Sequence, residues 1–199
     1  MDLKPDILPG IEVPNDHIPM VVTYLEMTGK PDAEAIDSTL RLVSWPDPDP
    51  VDYLSLFRKV GEPWLWASRL YMDEPVLRAQ IHHPDVDIYS VESNSGRVGM
   101  LELDFRQARQ CEIGFFGLIP EMAGGGHGRW LMSETLKKAW RSDIERVWLH
   151  TCTADSPRAL PFYLRSGFAA YKRELETMAD PRLSGHLPRD AAPHIPLIS

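Results

Sequence analysis

The chain has 199 residues, of which 43% are hydrophobic and 25% charged, with a formal net charge of −8. This composition is typical of one folded domain and excludes extensive disorder. The acidic balance argues against nucleic acid as the main partner, because phosphate binding needs a basic face, whereas it suits a cationic amine.

Two further classes of protein are excluded by simple patterns. The N-terminus has no signal-peptide run, and no stretch approaches the roughly 20 apolar residues that span a bilayer, so we expect a cytoplasmic protein with no membrane partner. The two cysteines, Cys111 and Cys152, lie in apolar strand-like runs and are interpreted as buried reduced thiols. No cysteine–histidine cluster is present, so no metal site is predicted.

The pattern in the first half of the chain indicates an N-terminal arm followed by the start of one domain. Residues 1–18 contain three prolines and little periodicity, which indicates an N-terminal arm, and residues 19–199 form a single predicted domain. The following elements are predicted in order: a strand over 20–27, a short helix or second strand over 32–44, a helix from about 52 to 61, and a second helix over 66–82 interrupted at Pro75.

The second half changes from hairpins to alternating strands and helices. Its predicted elements are strands over 87–92, 97–105 and 111–119, a helix over 131–140, a strand over 147–153, a helix over 157–165, a strand over 168–178 and an edge strand near 194–198. This order predicts an α/β (α+β) fold with a mixed central sheet flanked by helices and a parallel pair in its C-terminal half.

The most informative segment is a glycine-rich turn, in which four of the five residues 124–128 are glycine. It follows an apolar strand and precedes an amphipathic helix. Such a turn places unpaired backbone N–H groups at the positive end of a helix, which is an anion site. Arg129 adds a side-chain donor suited to phosphate.

Three phosphate ligands are possible for this turn, and a purely structural role as a linker is the alternative. A nucleoside-triphosphate loop ends in Gly-Lys-Ser/Thr, whereas this one ends in Gly128-Arg129-Trp130. The spacing of the glycines differs from that of the dinucleotide-binding motif, and the turn lies late in the chain, not after the first strand. Both observations argue against an NAD-dependent oxidoreductase. The remaining ligand is the pyrophosphate of coenzyme A. A plain flexible linker is the alternative, although linkers rarely join a strand directly to a helix.

The turn resembles the central motif of the GNAT superfamily of N-acetyltransferases, Arg/Gln-x-x-Gly-x-Gly/Ala after a strand that ends in an apolar residue, x, Pro and Glu. Here the strand ends in Leu118-Ile-Pro-Glu121, and Gly126 and Gly128 match the two fixed glycines. Ala123 stands where the family has Arg or Gln. The resemblance therefore implies a phosphate site that relies more on backbone amides than is usual.

A second motif strengthens the resemblance. The family pattern Asn-x-x-Ala-x-x-Phe/Leu-Tyr followed by Gly-Phe corresponds here to residues 156–168, with matches at Ala159, Tyr163 and Gly167. Ser156 replaces the usual Asn and is predicted to cap the helix. The two motifs are in the family's order, and the resemblance covers residues 86–178.

The resemblance implies a GNAT-like fold, acetyl-CoA as cosubstrate and specific roles for several residues. Tyr163 matches the family's general acid for the leaving thiolate, and Glu112 is the candidate general base, with His150, His127 and Glu92 as weaker options. Cofactor contacts are expected from the strand before the turn, the turn itself and the second motif, namely Gly117, Leu118, Gly124, Gly125, Gly126, His127, Gly128, Arg129 and Ser156. Each position also has a purely structural interpretation: Tyr163 as a core aromatic, Glu112 as a strand carboxylate.

The resemblance thus implies an N-acetyltransferase that moves an acetyl group from acetyl-CoA to a primary amine of a small molecule or peptide, by direct attack in a ternary complex. A non-catalytic acyl-CoA-binding sensor is the alternative. The acceptor site is expected in the first half, where Trp64, Trp66 and Tyr71 either line it or belong to the core. A homodimer is left open.

Overall fold

The fold is built on one mixed sheet of seven strands, in a computed structural model that describes residues 10–32 and 35–198. The strands are β1 (His17–Met27), β2 (Arg41–Ser44), β3 (Val86–Ser93), β4 (Gly96–Asp104), β5 (Gln110–Leu118), β6 (Arg146–Cys152) and β7 (Ala169–Ala179). Their order across the sheet is β2-β3-β4-β5-β6-β1-β7. The pair β5–β6 is parallel and the other neighbours are antiparallel. The predicted α/β (α+β) architecture with a parallel pair is confirmed.

Among the described residues, four α-helices flank the sheet: α1 (Pro50–Gly61), α2 (Glu74–Ile81), α3 (His127–Ala139) and α4 (Ala159–Arg165). The first two begin at aspartate caps, because Asp49 accepts the N–H of Val51 and Asp73 accepts that of Val76. A proline follows each cap, where its missing N–H costs no helical hydrogen bond. None of the helices in the described ranges has the length and apolar character needed to cross a membrane.

The helices cover opposite faces of the sheet, and each face has its own core. On one face, α1 and α2 bury Phe57 and Leu77 against Met100 of β4. On the other face, α3 buries Met132 against Leu103 and its neighbours on the central strands. At about 25 cal/mol per Å² of apolar surface, burial of each such side chain stabilises the fold by roughly 1.5–3 kcal/mol.

The helix predicted over 66–82 is wrong in its first half. Leu65 adopts a left-handed conformation with φ of 55°, and the chain reverses so that Trp66 inserts between α1 and β5. A Cβ on Gly61 would lie 2.4 Å from Cβ of Trp66, so the glycine permits this close approach. Only residues 74–81 are helical, and Pro75, at which the predicted helix is interrupted, lies in their first turn.

Other boundaries also differ from the predictions. For residues 32–44 the sequence predicts a short helix or a strand, and in the described part of this range a strand forms over Arg41–Ser44 alone. The strand β1 begins at His17, so it takes the last two residues assigned to the N-terminal arm, whose residues 1–9 lie outside the described part. The helix α3 begins at His127, four residues earlier than predicted, within the glycine-rich turn itself.

The C-terminal tail is held by an arginine and contains no edge strand at 194–198 in the described structure. Arg182 is buried, pairs with Asp180 at 2.8 Å, and donates to the carbonyls of Ala191 and Ile195 at 3.2 and 2.9 Å. The predicted strand is wrong because these carbonyl groups accept hydrogen bonds from a guanidinium and not from a neighbouring strand. The tail packs on the same face as α1.

Candidate active site

The centre of the sheet opens between its two parallel strands. Pairing of β5 with β6 starts at Gln110–Arg146 and stops at Glu112–Trp148, although β5 continues to Leu118 and β6 to Cys152. On its other edge β5 stays paired with β4 as far as Leu118. The β6-facing edge of residues 113–118 therefore lacks a strand partner in the described structure, which leaves backbone donors and acceptors available to a ligand. We call the Glu112–Trp148 pair the vertex.

A β-bulge at Gly114 accompanies this opening. Glu102 lies opposite Phe115 and Leu103 opposite Ile113, so Gly114 is the extra residue of β5. Beyond the bulge, Phe115 packs against Phe57 of α1 at a ring-centroid distance of 4.9 Å. A bulge of this kind bends its strand and increases the local twist, which accounts for the departure of β5 from β6.

The glycine-rich turn lies at the far end of β5. Gly124 and Gly126 have φ of 90° and 76°, values that favour glycine over any residue with a Cβ. Gly126 is the N-cap of α3 and offers no side chain to the first N–H groups of the helix. Within the described residues, the N–H groups of 124–128 donate to no protein acceptor. With the helix dipole, they form an anion site.

A single cleft of about 780 Å³ connects the open strand, the glycine-rich turn and α4. Most of the predicted cofactor residues line it, namely Gly117, Leu118, Gly124, Gly126, His127, Gly128 and Ser156. Gly125 and Arg129 do not line it. An added Cβ on Gly125 would lie 2.7 Å from the His127 imidazole, so this glycine makes room for that ring. The imidazole in turn contacts the Ser38 hydroxyl at 3.3 Å.

The predicted cap of α4 is wrong. The helix begins at Ala159 and its N-cap is Arg158, so Ser156 stands one turn outside it. The Ser156 hydroxyl instead accepts the Arg158 N–H at 3.3 Å, and its carbonyl accepts the Ala159 N–H at 2.8 Å. The physical reason is that Ser156 forms a separate turn before the helix. At the other end of the helix, Gly167 has φ of 96° and ends α4 in the left-handed conformation that glycine favours.

Tyr163 lies on α4 and lines the cleft. Its ring packs against Phe116, Phe162 and Phe168 at centroid distances of 6.1, 5.5 and 6.3 Å. Burial, and then the charge of Asp155, raise the pKa of Tyr163 above its usual value, so the phenol is protonated at neutral pH. Tyr163 therefore packs as a core aromatic residue and at the same time lines the cleft.

Asp155 organises the mouth of the cleft beside Tyr163. Its carboxylate accepts the hydroxyl of Thr151 at 2.6 Å and the N–H of Cys152 at 2.9 Å. It also accepts the indole N–H of Trp66 at 3.4 Å. Trp66 therefore both lines the cleft and packs in the core, whereas Trp64 lines the cleft and Tyr71 does neither.

Glu112 occupies the vertex but does not line the large cleft. It borders a second, polar cavity of about 340 Å³ together with Trp148 and Asp104. His150, which does line the cleft, places its Nδ1 3.7 Å from a Glu112 carboxylate oxygen. His150 therefore stands between the cleft and Glu112.

The surroundings of Glu112 disfavour its charged form. Burial, followed by the charges of Asp104 and Glu102, raises the pKa of Glu112 to about 7. The ionisable groups that face it are Asp104, Glu102, Arg106, Arg69 and His150. Glu102 is buried, and its carboxylate accepts the Tyr53 hydroxyl at 2.8 Å and pairs with Arg69 at 2.5 Å. A carboxyl that titrates near neutral pH suits a general base.

These features coincide with a sequence match over most of the chain. Residues 45–168 match the model of the Acetyltransferase (GNAT) family. The chain belongs to the GNAT family of acetyltransferases.

Solved structures share the fold of this GNAT protein at low identity. A GCN5-related N-acetyltransferase from Sphaerobacter thermophilus aligns with a TM-score of 0.59 and 16% identity, over 82% of this chain and 53% of that one. An aminoglycoside acetyltransferase from an uncultured soil metagenomic sample gives 0.56 and 15%, over 69% and 93%. A GNAT acetyltransferase from Elizabethkingia anophelis with acetyl-CoA bound gives 0.52 and 15%, over 68% and 80%.

This GNAT chain spans about half the length of the Sphaerobacter protein. No curated protein matches its sequence. At identities of 14–16%, the similarity of these structures to the chain is one of fold.

Sequence reasoning missed two basic residues of this GNAT cleft. Arg158 and Arg165, at opposite ends of α4, both line it. They supply positive charge to a cleft in which Ala123 occupies the family's Arg/Gln position. The signal was their spacing of seven residues, which places two side chains on similar faces of a helix.

Proposed function

We propose that this GNAT protein transfers the acetyl group of acetyl-CoA to a primary amine by direct attack within a ternary complex. The observation that carries the proposal is the continuity of one cleft from the glycine-rich turn to Tyr163 and His150 beside the vertex. A long thioester cosubstrate needs this arrangement, with an anion site at one end and proton-transfer groups at the other.

The cofactor half of the proposal rests on the backbone. The amides of residues 124–128 receive the pyrophosphate, and Arg158 and Arg165 add charge. The unpaired edge of β5 pairs with the pantetheine arm, and an amide near Gly117 and Leu118 faces the thioester oxygen. Such a donor stabilises the oxyanion that forms during acyl transfer. The acetyl-CoA in the related E. anophelis structure supports this choice of ligand.

The chemical half of the proposal assigns the two protons. The ammonium group loses a proton to Glu112, directly or through His150, whose ring lies between that carboxylate and the cleft. The amine nitrogen then attacks the thioester carbon, and the carbon–sulfur bond breaks. Tyr163 protonates the departing thiolate, and the second proton, which the nitrogen loses as the amide forms, restores the phenol.

Two measurements test this function. Titration calorimetry with acetyl-CoA and with NADH is expected to show binding of acetyl-CoA alone. A thiol-release assay over a library of small amines and short peptides is then expected to show acetyl-CoA consumption that depends on the amine. Binding without turnover across the library would favour the non-catalytic sensor, and NADH binding without acetyl-CoA binding would contradict the proposal.

A further inference from the structure

One open face of the sheet carries four neighbouring rings, which we call the aromatic face: Tyr24, Trp148, His150 and Tyr171. They come from the adjacent strands β6, β1 and β7, where Tyr24 pairs with His150 across β1–β6. Tyr24 is central, with centroid distances of 6.5 Å to Trp148, 5.7 Å to His150 and 6.2 Å to Tyr171. Four rings from three strands make one continuous surface.

The aromatic face is accessible. The helices α1 and α2 pack on β3, β4 and β5, on the other half of the sheet. The side chain of His150 is 46% exposed and Tyr171 is 45% exposed. Exposed aromatic residues grouped in this way indicate a binding surface more often than isolated ones do.

The rings already attract cations of the protein itself. The guanidinium of Arg146 lies 4.9 Å from the Tyr171 centroid and 5.8 Å from that of Trp148. The ammonium of Lys172 lies 4.8 Å from the Tyr24 centroid. Carboxylates border the same face: the Tyr24 hydroxyl donates to Glu176 at 3.1 Å. Flat rings bordered by acids favour a ligand that is both planar and cationic.

The aromatic face is continuous with the cleft. His150 belongs to both, and Glu176, next to Tyr24, also lines the cleft. On the other side of His150 lies Glu112 at the vertex. A molecule on the aromatic face would therefore extend toward the residues that we assign to proton transfer.

We infer that the acceptor is a primary amine attached by a short linker to an aromatic ring, which stacks on Tyr24 while the amine reaches His150 and Glu112. The inference rests on the proposed function. The 5.7 Å between the Tyr24 and His150 centroids matches a two-carbon linker, which places an amine roughly 5 Å from its ring centre. The ligand's ring then displaces the Lys172 ammonium from its position over the Tyr24 ring.

Binding measurements test the inference separately from turnover. Calorimetry on the CoA-saturated protein compares 2-phenylethylamine with 2-cyclohexylethylamine, which has the same linker and a non-aromatic ring. We expect the aromatic amine to bind about five- to tenfold more tightly, the gain of one stacked aromatic pair. Equal affinities would overturn the inference and leave the proposed function intact. Conversely, a clear preference without turnover would contradict only the proposed function.

Two substitutions locate the preference. Tyr24→Leu is expected to abolish it, and Tyr171→Leu, at a more exposed edge position, to reduce it without disturbing the fold. The matched control is Leu175→Ala, because Leu175 is exposed on the opposite face of β7. A preference that persists in both tyrosine variants, or that falls equally in the control, would also overturn the inference.

Discussion

The two sides of the open sheet differ in what they are made of. The side to which we assign the cofactor, called the cofactor side, consists mainly of backbone, namely the free edge of β5 and the amides of residues 124–128. The side to which we assign the acceptor, called the acceptor side, consists of side chains on β6, β1 and β7. Backbone groups suit a cosubstrate whose chemical structure is constant, because they are the same whatever the side chains are. Side chains on strands can be replaced without altering the fold, so they suit an acceptor that differs between proteins. The first side should therefore be common to GNAT proteins and the second specific to this chain.

The vertex is where the two sides meet, and its loss should have the largest effect. We expect Glu112→Gln to lower kcat/KM by about 100- to 1,000-fold, because general base catalysis contributes on that scale. A base must be ionised, so wild-type kcat/KM should rise with pH until it levels off above about 7, the pKa of Glu112. The variant should lack that rise. A pH–rate profile of both proteins measures this.

Stability provides the control for this variant. Because the folded pKa of Glu112 lies above its usual value, the folded state binds the proton more tightly than the unfolded chain. Its stabilising effect is present below about pH 4.5 and is lost as pH rises through 7. Glu112→Gln should thus be at least as stable as wild type at pH 8 by thermal unfolding. A destabilised variant would mean that the activity loss reports on folding.

The variant Tyr163→Phe tests whether Tyr163 is the general acid that protonates the CoA thiolate. We expect kcat to fall roughly 100-fold, since the thiolate would leave without a proton. Acetyl-CoA affinity should be unchanged, because the ring keeps its packing against Phe116 and Phe168. Steady-state kinetics and calorimetry check both parts. Full activity in the variant would remove Tyr163 from the mechanism.

The cofactor turn should be sensitive to backbone conformation alone. Gly126→Val forces a β-branched residue into φ of 76°, at a cost of about 2 kcal/mol, so acetyl-CoA affinity should fall roughly 30-fold. Gly29→Val is the matched control, because a Cβ there meets nothing and its φ is not in the left-handed region. Calorimetry with acetyl-CoA compares them. Equal affinities would show that the turn does not hold the pyrophosphate.

The same contrast explains how much the sequence could predict. The turn and the α4 motif are local patterns, so Gly126, Gly128 and Tyr163 could be located without the fold. The aromatic face could not, because Tyr24 and Trp148 are 124 positions apart and meet only through the β1–β6 register. The position of the vertex could not be predicted either, because it depends on where the pairing of β5 with β6 stops. The bulge at Gly114 sets that point.

Tertiary contacts account for the remaining errors. The segment 66–73 has apolar residues at near-helical spacing, yet Trp66 packs against Phe57 and Phe115 and the chain reverses at Leu65. Packing of this half-buried indole outweighs local helix propensity, which is worth under about 1 kcal/mol per residue. The conformation of the tail likewise depends on Arg182, whose carbonyl partners lie 9 to 14 residues along the chain.

Charge on the cofactor side should contribute less than its backbone. We expect Arg158→Gln and Arg165→Gln each to weaken acetyl-CoA binding roughly fivefold, as befits exposed ion pairs. The difference should shrink at high salt, where such charges are screened. Arg78→Gln, an exposed arginine on α2 outside the cleft, is the control. Binding isotherms at two salt concentrations decide this, and salt-independent losses would contradict an electrostatic role.

The smallest expected effect concerns the acceptor side. Lys172 lies over the Tyr24 ring and pairs with Glu174 at 2.6 Å, so an incoming aromatic amine must displace it. Lys172→Met should therefore tighten 2-phenylethylamine binding about threefold, the value of an exposed cation–π contact. Arg173→Met is the matched control, because Arg173 points to the opposite face of β7. Weaker binding in Lys172→Met would show that this lysine contacts the ligand and does not compete with it, which would relocate the ring away from Tyr24.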